Sequence, residues 1–108
     1  MSQQYKLEGK GKDLVISGGS LSKPKKVIKG WESFSGWYWF AFELDHVQDS
    51  DMGDGKVISK DKIYFGLVQG LEEELGYFSE GEIMSLGESK VWPIPKKNLP
   101  WSGRRNGQ

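Results

Sequence analysis

The chain has 108 residues, a length that suits one domain and leaves no room for two. It contains no cysteine, which excludes disulfides, thiolate zinc sites and a cysteine nucleophile. The formal net charge is zero, but the charge is segregated: residues 1–31 carry seven lysines and two acids, residues 32–89 carry thirteen acids and three lysines, and residues 90–108 carry five basic residues and no acid.

This segregation has two structural interpretations. If the two ends meet in space, they form a basic face opposite an acidic one; otherwise they are solvated basic tails. The sequence shows no N-terminal signal pattern, and its longest apolar run, residues 37–42, is too short to span a bilayer. We therefore expect a cytoplasmic protein with no membrane association.

The first third of the chain predicts a flexible start and two strands. Residues 1–12 are polar and interrupted by glycine, so we expect them to be flexible. Residues 13–17 predict a strand that ends at two glycines, and the alternation in residues 26–31 predicts a second strand with one wet side.

Residues 37–45 form the strongest strand pattern of the chain. Successive side chains of a strand point to opposite faces. One face is apolar and should meet the core: Tyr38, Phe40, Phe42 and Leu44. The other face carries two indoles and two carboxylates: Trp37, Trp39, Glu43 and Asp45. Burying those carboxylates in a sealed core would have a large free-energy cost.

Residues 46–61 predict a long acidic loop with two glycines. The loop has a superficial likeness to a calcium-binding loop, but an EF-hand needs an oxygen ligand at position 5, glycine at position 6 and glutamate at position 12. Counted from Asp49, those positions hold Gly53, Asp54 and Lys60. We therefore expect no metal site here.

The next two segments predict strands. Residues 63–68 should pair antiparallel with residues 37–45, so that their apolar face extends the face of Phe40. Tyr64 would then lie beside Trp39. Residues 75–78 predict a short strand after a glycine turn.

A helix and an edge segment complete the pattern. Ser79 and Glu82 form a capping box, which predicts a helix at about residues 80–86 that Gly87 ends. Residues 91–95 contain two prolines, which lack a backbone donor, so we expect them to form an extended edge segment.

Together these elements predict an α+β fold with a single, mainly antiparallel β-sheet and one short helix. The domain should span residues 13–101, followed by a flexible basic C-terminus at residues 102–108. The predicted core consists of Val15, Ile28, Tyr38, Phe40, Phe42, Leu44, Ile63, Phe65, Leu67, Leu75, Phe78, Ile83 and Leu86.

Three motifs follow one another in the middle of the chain: Phe65-Gly66-Leu67, then Glu74-Leu75-Gly76-Tyr77-Phe78-Ser79, then a helix with Glu82 and Leu86. In this order they resemble the signature of a small family of uncharacterised proteins from plasmids, phages and other mobile elements. The resemblance covers about residues 24–101. The family has no established activity that carries over to this chain. By analogy with other small proteins of mobile elements, we expect a binding protein that acts on a host defence or nucleic-acid-processing machine by protein contact.

The chain departs from this family pattern in three places. The segment of residues 46–61 is longer than usual, Asn98 stands where an acid is usual, and residues 1–23 have no counterpart. Small domains place specificity in loops and termini. The identity of a partner is therefore not transferred by the resemblance.

An enzyme is the least supported class of function. His46 is the only histidine, and a serine nucleophile would need it as a base oriented by a third group. No serine lies in a nucleophile-elbow sequence, and the neighbouring carboxylates predict solvated acids. We expect no catalytic residues and no cofactor, and we favour a non-enzymatic binding protein.

The favoured partner surface is an aromatic and acidic patch, because interfaces favour tryptophan and tyrosine anchors with a polar rim. Its candidates are Trp37, Trp39, Glu43, Asp45, Tyr64, Glu72, Glu73 and Glu74. In the alternative interpretation, the helix or the C-terminal segment covers Trp37 and Trp39. In a third, a nucleotide-like small molecule stacks on one of these two indoles.

The runner-up is a nucleic-acid-binding accessory protein that uses the segments of residues 23–31 and 96–105. Basic groups beside aromatic rings are typical of single-strand binders, in which charge follows the phosphates and rings stack on bases. The candidates are Lys23, Lys25, Lys26, Lys29, Trp31, Lys96, Lys97, Trp101, Arg104 and Arg105. In the alternative interpretation, the two tryptophans are core or anchoring residues.

Overall fold

The computed structural model describes residues 4–103. Within them the strands are β1 (Tyr5–Glu8), β2 (Val15–Gly18), β3 (Lys25–Lys26), β4 (Lys29–Ser33), β5 (Tyr38–Gly53), β6 (Lys56–Gln69), β7 (Glu73–Ser79) and β8 (Val91–Ile94). The helix α1 (Glu80–Met84) follows β7, and two short 3₁₀ helices lie at Gly11–Asp13 and Lys96–Asn98. The predicted α+β class, with antiparallel strands and one short helix, is confirmed.

The strands form two sheets where one was predicted. The small sheet has the order β1-β2-β3, and the large sheet has the order β7-β6-β5-β4-β8, with β8 at an edge as its prolines predict. A first hydrophobic cluster lies between the two sheets: Tyr5, Leu14, Ile16, Val27, Phe40, Phe42, Leu67, Ile94 and Leu99. A second cluster lies between the large sheet and α1: Trp31, Ala41, Tyr64, Ile83 and Val91.

A β-bulge interrupts β5 after Ala41, where the register to β6 shifts by one residue. The pairs around the shift are Phe40 with Leu67, Ala41 with Gly66, Glu43 with Phe65, and Leu44 with Tyr64. Because the shift reverses the alternation, Leu44 lies on the opposite face from Phe40. Leu44 is 46% exposed, so its predicted place in the core is wrong.

Residues 46–61, predicted as a loop, form a two-stranded extension of β5 and β6, called here the β-ribbon. The turn at its tip is Asp54-Gly55, with φ angles of 53° and 75°. Two left-handed residues are typical of a tight hairpin turn, for which Asp-Gly is a preferred sequence. Val47 and Val57 are exposed on its strands, so these two side chains contribute little packing.

Three further core predictions are wrong. Ile28 is exposed because it lies between β3 and β4, where Val27 takes the buried position. Val15 is half-buried because its two neighbours in sequence point inward, and Leu86 is exposed because α1 ends at Met84. The buried predictions that hold are Phe40, Phe42, Ile63, Leu67 and Ile83. Four others are partly buried against the clusters: Tyr38, Phe65, Leu75 and Phe78.

The described part of the chain is ordered closer to its ends than predicted. Tyr5 is buried and belongs to β1, so a strand lies within the segment that was expected to be flexible. Ser102 is also buried, and its Oγ and backbone N–H donate to Glu32 Oε1 at 2.5 and 3.2 Å. The Tyr38 hydroxyl donates to Glu32 Oε2 at 3.1 Å. Glu32 thereby anchors the segment around Ser102 to β4.

Gly66 marks a close approach between β6 and β5. A Cβ at this position would lie 1.9 Å from the carbonyl oxygen of Phe40 and 2.8 Å from the Cα of Ala41. Both are backbone atoms, so no side-chain rotation can relieve the contact. Gly76 pairs with Gly66 on β7, yet a Cβ there would meet nothing within 4 Å.

We expect Gly66→Ala to lower the free energy of unfolding by about 3 kcal/mol, because the methyl group must displace the β5 backbone. Gly76→Ala is the matched control and should leave stability unchanged or raise it, since glycine is unfavourable inside a strand. Urea unfolding of the two variants checks this difference. Equal losses in both would contradict the close approach.

Candidate functional site

An apolar cleft, called here the end cleft, opens at one end of the large sheet. It lies between the β4–β5 turn and the connection from α1 to β8, and its volume is about 300 Å³. Its lining consists of Ser33, Phe34, Ser35, Trp37, Trp39, Leu86, Lys90 and Val91. Trp39 packs against the second cluster and Val91 belongs to it, so the end cleft brings that cluster to the surface.

Backbone and hydroxyl hydrogen bonds fix the wall of the end cleft. The N–H of Trp37 donates to Ser33 Oγ at 3.0 Å, and the N–H of Ser33 donates back to the carbonyl of Trp37 at 2.9 Å. The N–H of Phe34 donates to the carbonyl of Lys90 at 2.9 Å. The β4–β5 turn is therefore tied to the segment before β8, and Phe34 is held with 71% of its surface exposed.

The two indoles of the end cleft support each other. The ring centroids of Trp37 and Trp39 lie 6.0 Å apart with an interplanar angle of 33°. Gly70, at the end of β6, lies against the first ring: a Cβ there would come within 2.4 Å of Trp37. The neighbouring Leu71 is fully in solvent. The β6–β7 turn therefore begins against the Trp37 ring.

The charges around the end cleft are mainly acidic. Glu74 pairs with Val68, which also pairs with Trp39, so Glu74 shares the face of that indole. Glu72 is exposed in the adjoining turn, and Glu88 is exposed between two lining residues. Lys90 is the basic residue of the lining. A basic partner would meet favourable charge here.

The structure divides the predicted aromatic and acidic patch. Tyr64 is 5% exposed and packs against Trp31 and Phe78, with ring centroids 5.4 and 6.1 Å away, so its predicted role as a surface anchor is wrong. Burial raises the pKa of Tyr64. Glu43 lies beyond the bulge and shares the face of Phe65, not the face of the indoles.

Other members of that patch have local partners. Asp45 lies on β5 next to His46 and forms a hydrogen bond with its ring. Glu73 accepts from the backbone N–H of Tyr5 at 3.3 Å and from the Gln69 amide at 2.5 Å, so it joins the large sheet to β1. Trp37, Trp39, Glu72 and Glu74 therefore remain together at the end cleft.

Two apolar residues of the end cleft were not predicted as site residues. Phe34 stands alone in a Ser-Phe-Ser-Gly sequence between strands, and a large ring in such a turn is a usable signal of exposure. Leu86 was assigned to the core because the helix was expected to continue to it. Leu86 is at the surface because α1 ends at Met84, two residues before it.

The structure also separates the residues that were predicted to bind nucleic acid. Trp31 is fully buried, and Lys29 forms an ion pair with Glu80 at 2.5 Å while lying 5.3 Å from the Trp31 ring. This indole cannot stack on a base, so that part of the prediction is wrong. Lys25 is half-buried, and the exposed members are Lys23, Lys26, Lys96, Lys97 and Trp101. Arg104 and Arg105 lie outside the described residues.

Asp61 is a buried carboxylate that joins the β-ribbon to α1. Its Oδ2 accepts from the hydroxyls of Ser50, at 2.6 Å, and Ser79, and its Oδ1 accepts from the N–H of Gly81 at 2.8 Å. Burial alone would raise the pKa of Asp61. These bonds, with one from the Lys62 backbone, outweigh burial and hold the pKa below its ordinary value.

His46 has partners at both ring nitrogens. Nδ1 lies 2.6 Å from Asp45 Oδ2, and Nε2 lies 2.7 Å from Gln48 Oε1. The bond to Asp45, followed by the bond to Gln48, raises the pKa of His46, because both partners accept from the protonated ring. Within residues 4–103, no group of three or more histidine or carboxylate side chains is placed to hold a metal ion.

Comparison of the chain with protein-family models, with curated proteins and with solved structures finds no match in any of the three. In the part of the chain that the structure describes, no helix is long and apolar enough to cross a membrane. We therefore infer function from the surface geometry described above.

We expect Asp61→Asn to lower the free energy of unfolding by about 2 kcal/mol at neutral pH, because the amide turns a donor toward groups that also donate. Since the pKa of Asp61 is lower in the folded state, the carboxylate stabilises fully above its unfolded pKa of about 4. That contribution is lost as the pH falls through the folded pKa. The difference between variant and wild type should therefore shrink in acid.

Urea unfolding at a series of pH values measures this difference. Asp54→Asn is the matched control, because the tip of the β-ribbon is exposed and its left-handed turn accepts asparagine equally well. The control should follow the wild-type stability at each pH. A difference for Asp61→Asn that stays constant down to the lowest pH would contradict the lowered pKa.

Proposed function

We propose that this protein is a non-enzymatic protein-binding module that takes an apolar side chain of its partner into the end cleft. The observation that carries this proposal is the concentration of exposed apolar side chains around one cleft: Phe34, Trp37 and Leu86. Exposed apolar groups rimmed by polar residues mark interaction sites, and aromatic anchors dominate the binding free energy of interfaces.

A protein partner suits the end cleft better than a small molecule. Ligand pockets bury most of a bound small molecule. Here Phe34 is 71% and Leu86 55% exposed, so they rise above the surface at the rim. A compound in the cleft would leave these side chains in water, whereas a protein surface would cover them. This geometry supports the partner interpretation over the stacking of a nucleotide-like molecule on Trp37 or Trp39.

The charge of the rim supports a basic partner segment. Glu72, Glu74 and Glu88 are exposed near the end cleft, against Lys90. Complementary charge raises association rates and suppresses wrong partners. We therefore propose a partner segment in which a large apolar side chain is flanked by lysine or arginine. The resemblance to mobile-element proteins supports a host defence or nucleic-acid-processing machine as the place to search for it.

The test compares variants of the end cleft in capture experiments from nuclease-treated host-cell lysate. We expect Phe34→Asp and Leu86→Asp each to weaken binding of a captured protein at least tenfold, because both remove an anchor and add a charge to an apolar site. The captured protein is then purified, and its dissociation constant for each variant is measured by titration.

Matched controls are Val47→Asp and Val57→Asp on the β-ribbon, which change equally exposed apolar residues away from the end cleft. All four variants should melt at the wild-type temperature, since their side chains contribute little to the core. Binding that is lost equally in the β-ribbon controls would overturn the assignment of the end cleft. So would binding that survives both cleft variants.

A further inference from the structure

The described parts of the two basic segments meet in space, as one of the two interpretations of the charge segregation expects. The 3₁₀ helices Gly11–Asp13 and Lys96–Asn98 pack together: the N–H of Gly11 donates to the carbonyl of Leu99 at 3.0 Å. A Cβ at Gly11 would lie 3.1 Å from the carbonyl oxygen of Lys97. This packing brings together exposed lysines that are distant in sequence: Lys10, Lys12, Lys96 and Lys97.

A second cleft, called here the basic cleft, opens at this junction. It has a volume of about 360 Å³ and is lined by Lys10, Asn98, Pro100, Trp101 and Gly103. Trp101 is 51% exposed, and Lys10 is the lysine of the lining. The basic cleft shares no lining residue with the end cleft.

The backbone that carries Trp101 is firmly held. Its N–H donates to the carbonyl of Asn98 at 3.1 Å, and the Asn98 amide donates to the carbonyl of Ser102 at 3.4 Å. Ser102 is in turn bonded to the buried Glu32, and the Trp92 indole N–H donates to Ser102 Oγ at 3.0 Å. A ring presented from a fixed segment loses little conformational entropy when it binds a ligand.

We propose that the basic cleft binds single-stranded nucleic acid, with a base stacked on Trp101 and the phosphates following Lys10, Lys12, Lys96 and Lys97. A half-exposed aromatic ring in a cleft that has Lys10 in its wall and further lysines on the adjoining segments matches the way sequence-tolerant single-strand binders combine stacking with positive charge. The assignment replaces Trp31 and Lys29 of the sequence-based prediction, which are buried or paired, with Lys10 and Lys12 from the start of the chain. It is independent of the proposed protein-binding function.

Single-stranded nucleic acid is favoured over an acidic polypeptide because of the ring. An acidic polypeptide would use the lysines but would gain little from a flat aromatic surface. A strand of nucleotides places a base and a phosphate at each step, which matches an indole beside several cations. Asp13 is the exposed acid of the first 3₁₀ helix. The four lysines at the junction outnumber it, so the net charge of this surface is positive.

The test titrates the full chain into a fluorescently labelled strand of twelve thymidines and follows the anisotropy. Four phosphate contacts predict that the logarithm of the binding constant falls by about 3 per tenfold rise in salt. Trp101→Ala should weaken binding at least fivefold, with Trp101→Tyr restoring most of it. Lys96→Glu combined with Lys97→Glu should weaken binding at least tenfold and reduce the salt slope.

The matched control is Lys56→Glu combined with Lys62→Glu, the same charge change on exposed lysines of β6 away from the junction. It should change the affinity less than threefold. An oligoglutamate of twelve residues serves as the competitor and should displace the strand poorly. Thermal melting, compared with the wild type, identifies any variant whose fold is damaged, and the tyrosine variant then decides the role of the ring.

Three results would overturn the proposal. The first is the absence of saturable binding to the strand at low salt. The second is an equal loss of affinity in the Lys56 and Lys62 control, which would indicate non-specific charge attraction. The third is displacement by oligoglutamate as strong as by the unlabelled strand, with Trp101→Ala unchanged, which would identify an acidic polypeptide as the ligand.

Discussion

The burial of β5 on both faces is the constraint on which the rest of the structure depends. Its first half pairs with β4 on one side and β6 on the other, while Phe40 and Ala41 enter opposite hydrophobic clusters. A strand covered in this way needs a layer on each side, and 108 residues allow only thin layers. The small sheet forms one layer and α1 the other. The helix has only five residues, so it leaves the second cluster open at the end cleft.

Local sequence patterns predicted the strands well where apolar residues are concentrated on one face of the strand. The pairing of β5 with β6, the capping hydroxyl of Ser79 and the edge position of β8 all follow from side-chain period and backbone chemistry. The β-ribbon was not predicted, because its many acidic residues leave only a weak alternation of apolar and polar side chains. Asp54-Gly55 was nevertheless a hairpin signal. The bulge after Ala41 was beyond prediction, since it arises from how two strands fit together.

The sites were harder to predict than the elements because they depend on which residues the clusters fail to cover. Composition indicated that tryptophans and charged residues would form the site, but it did not indicate which indole would be exposed. Trp31 is fully buried, whereas Trp37 and Trp101 reach the surface. Their difference lies in tertiary position: Trp31 is on an inner strand beneath α1, whereas Trp37 directly precedes β5 and Trp101 follows the 3₁₀ helix Lys96–Asn98. Lys10 and Lys12 could not be predicted as part of the basic cleft, because they reach it only through the contact between the two 3₁₀ helices.

The β-ribbon has a consequence for how related chains can differ in length. Gly53 and Gly55 at its tip meet no neighbouring atoms in the space that a Cβ would occupy, so the tip carries no packing contact that an insertion would break. Side chains of a strand repeat every two residues. Lengthening both arms by two residues therefore keeps the facing relation of the added pairs, whereas one residue added to a single arm needs a further bulge, like the register shifts at Gln48/Ser50 and Asp51/Gly53.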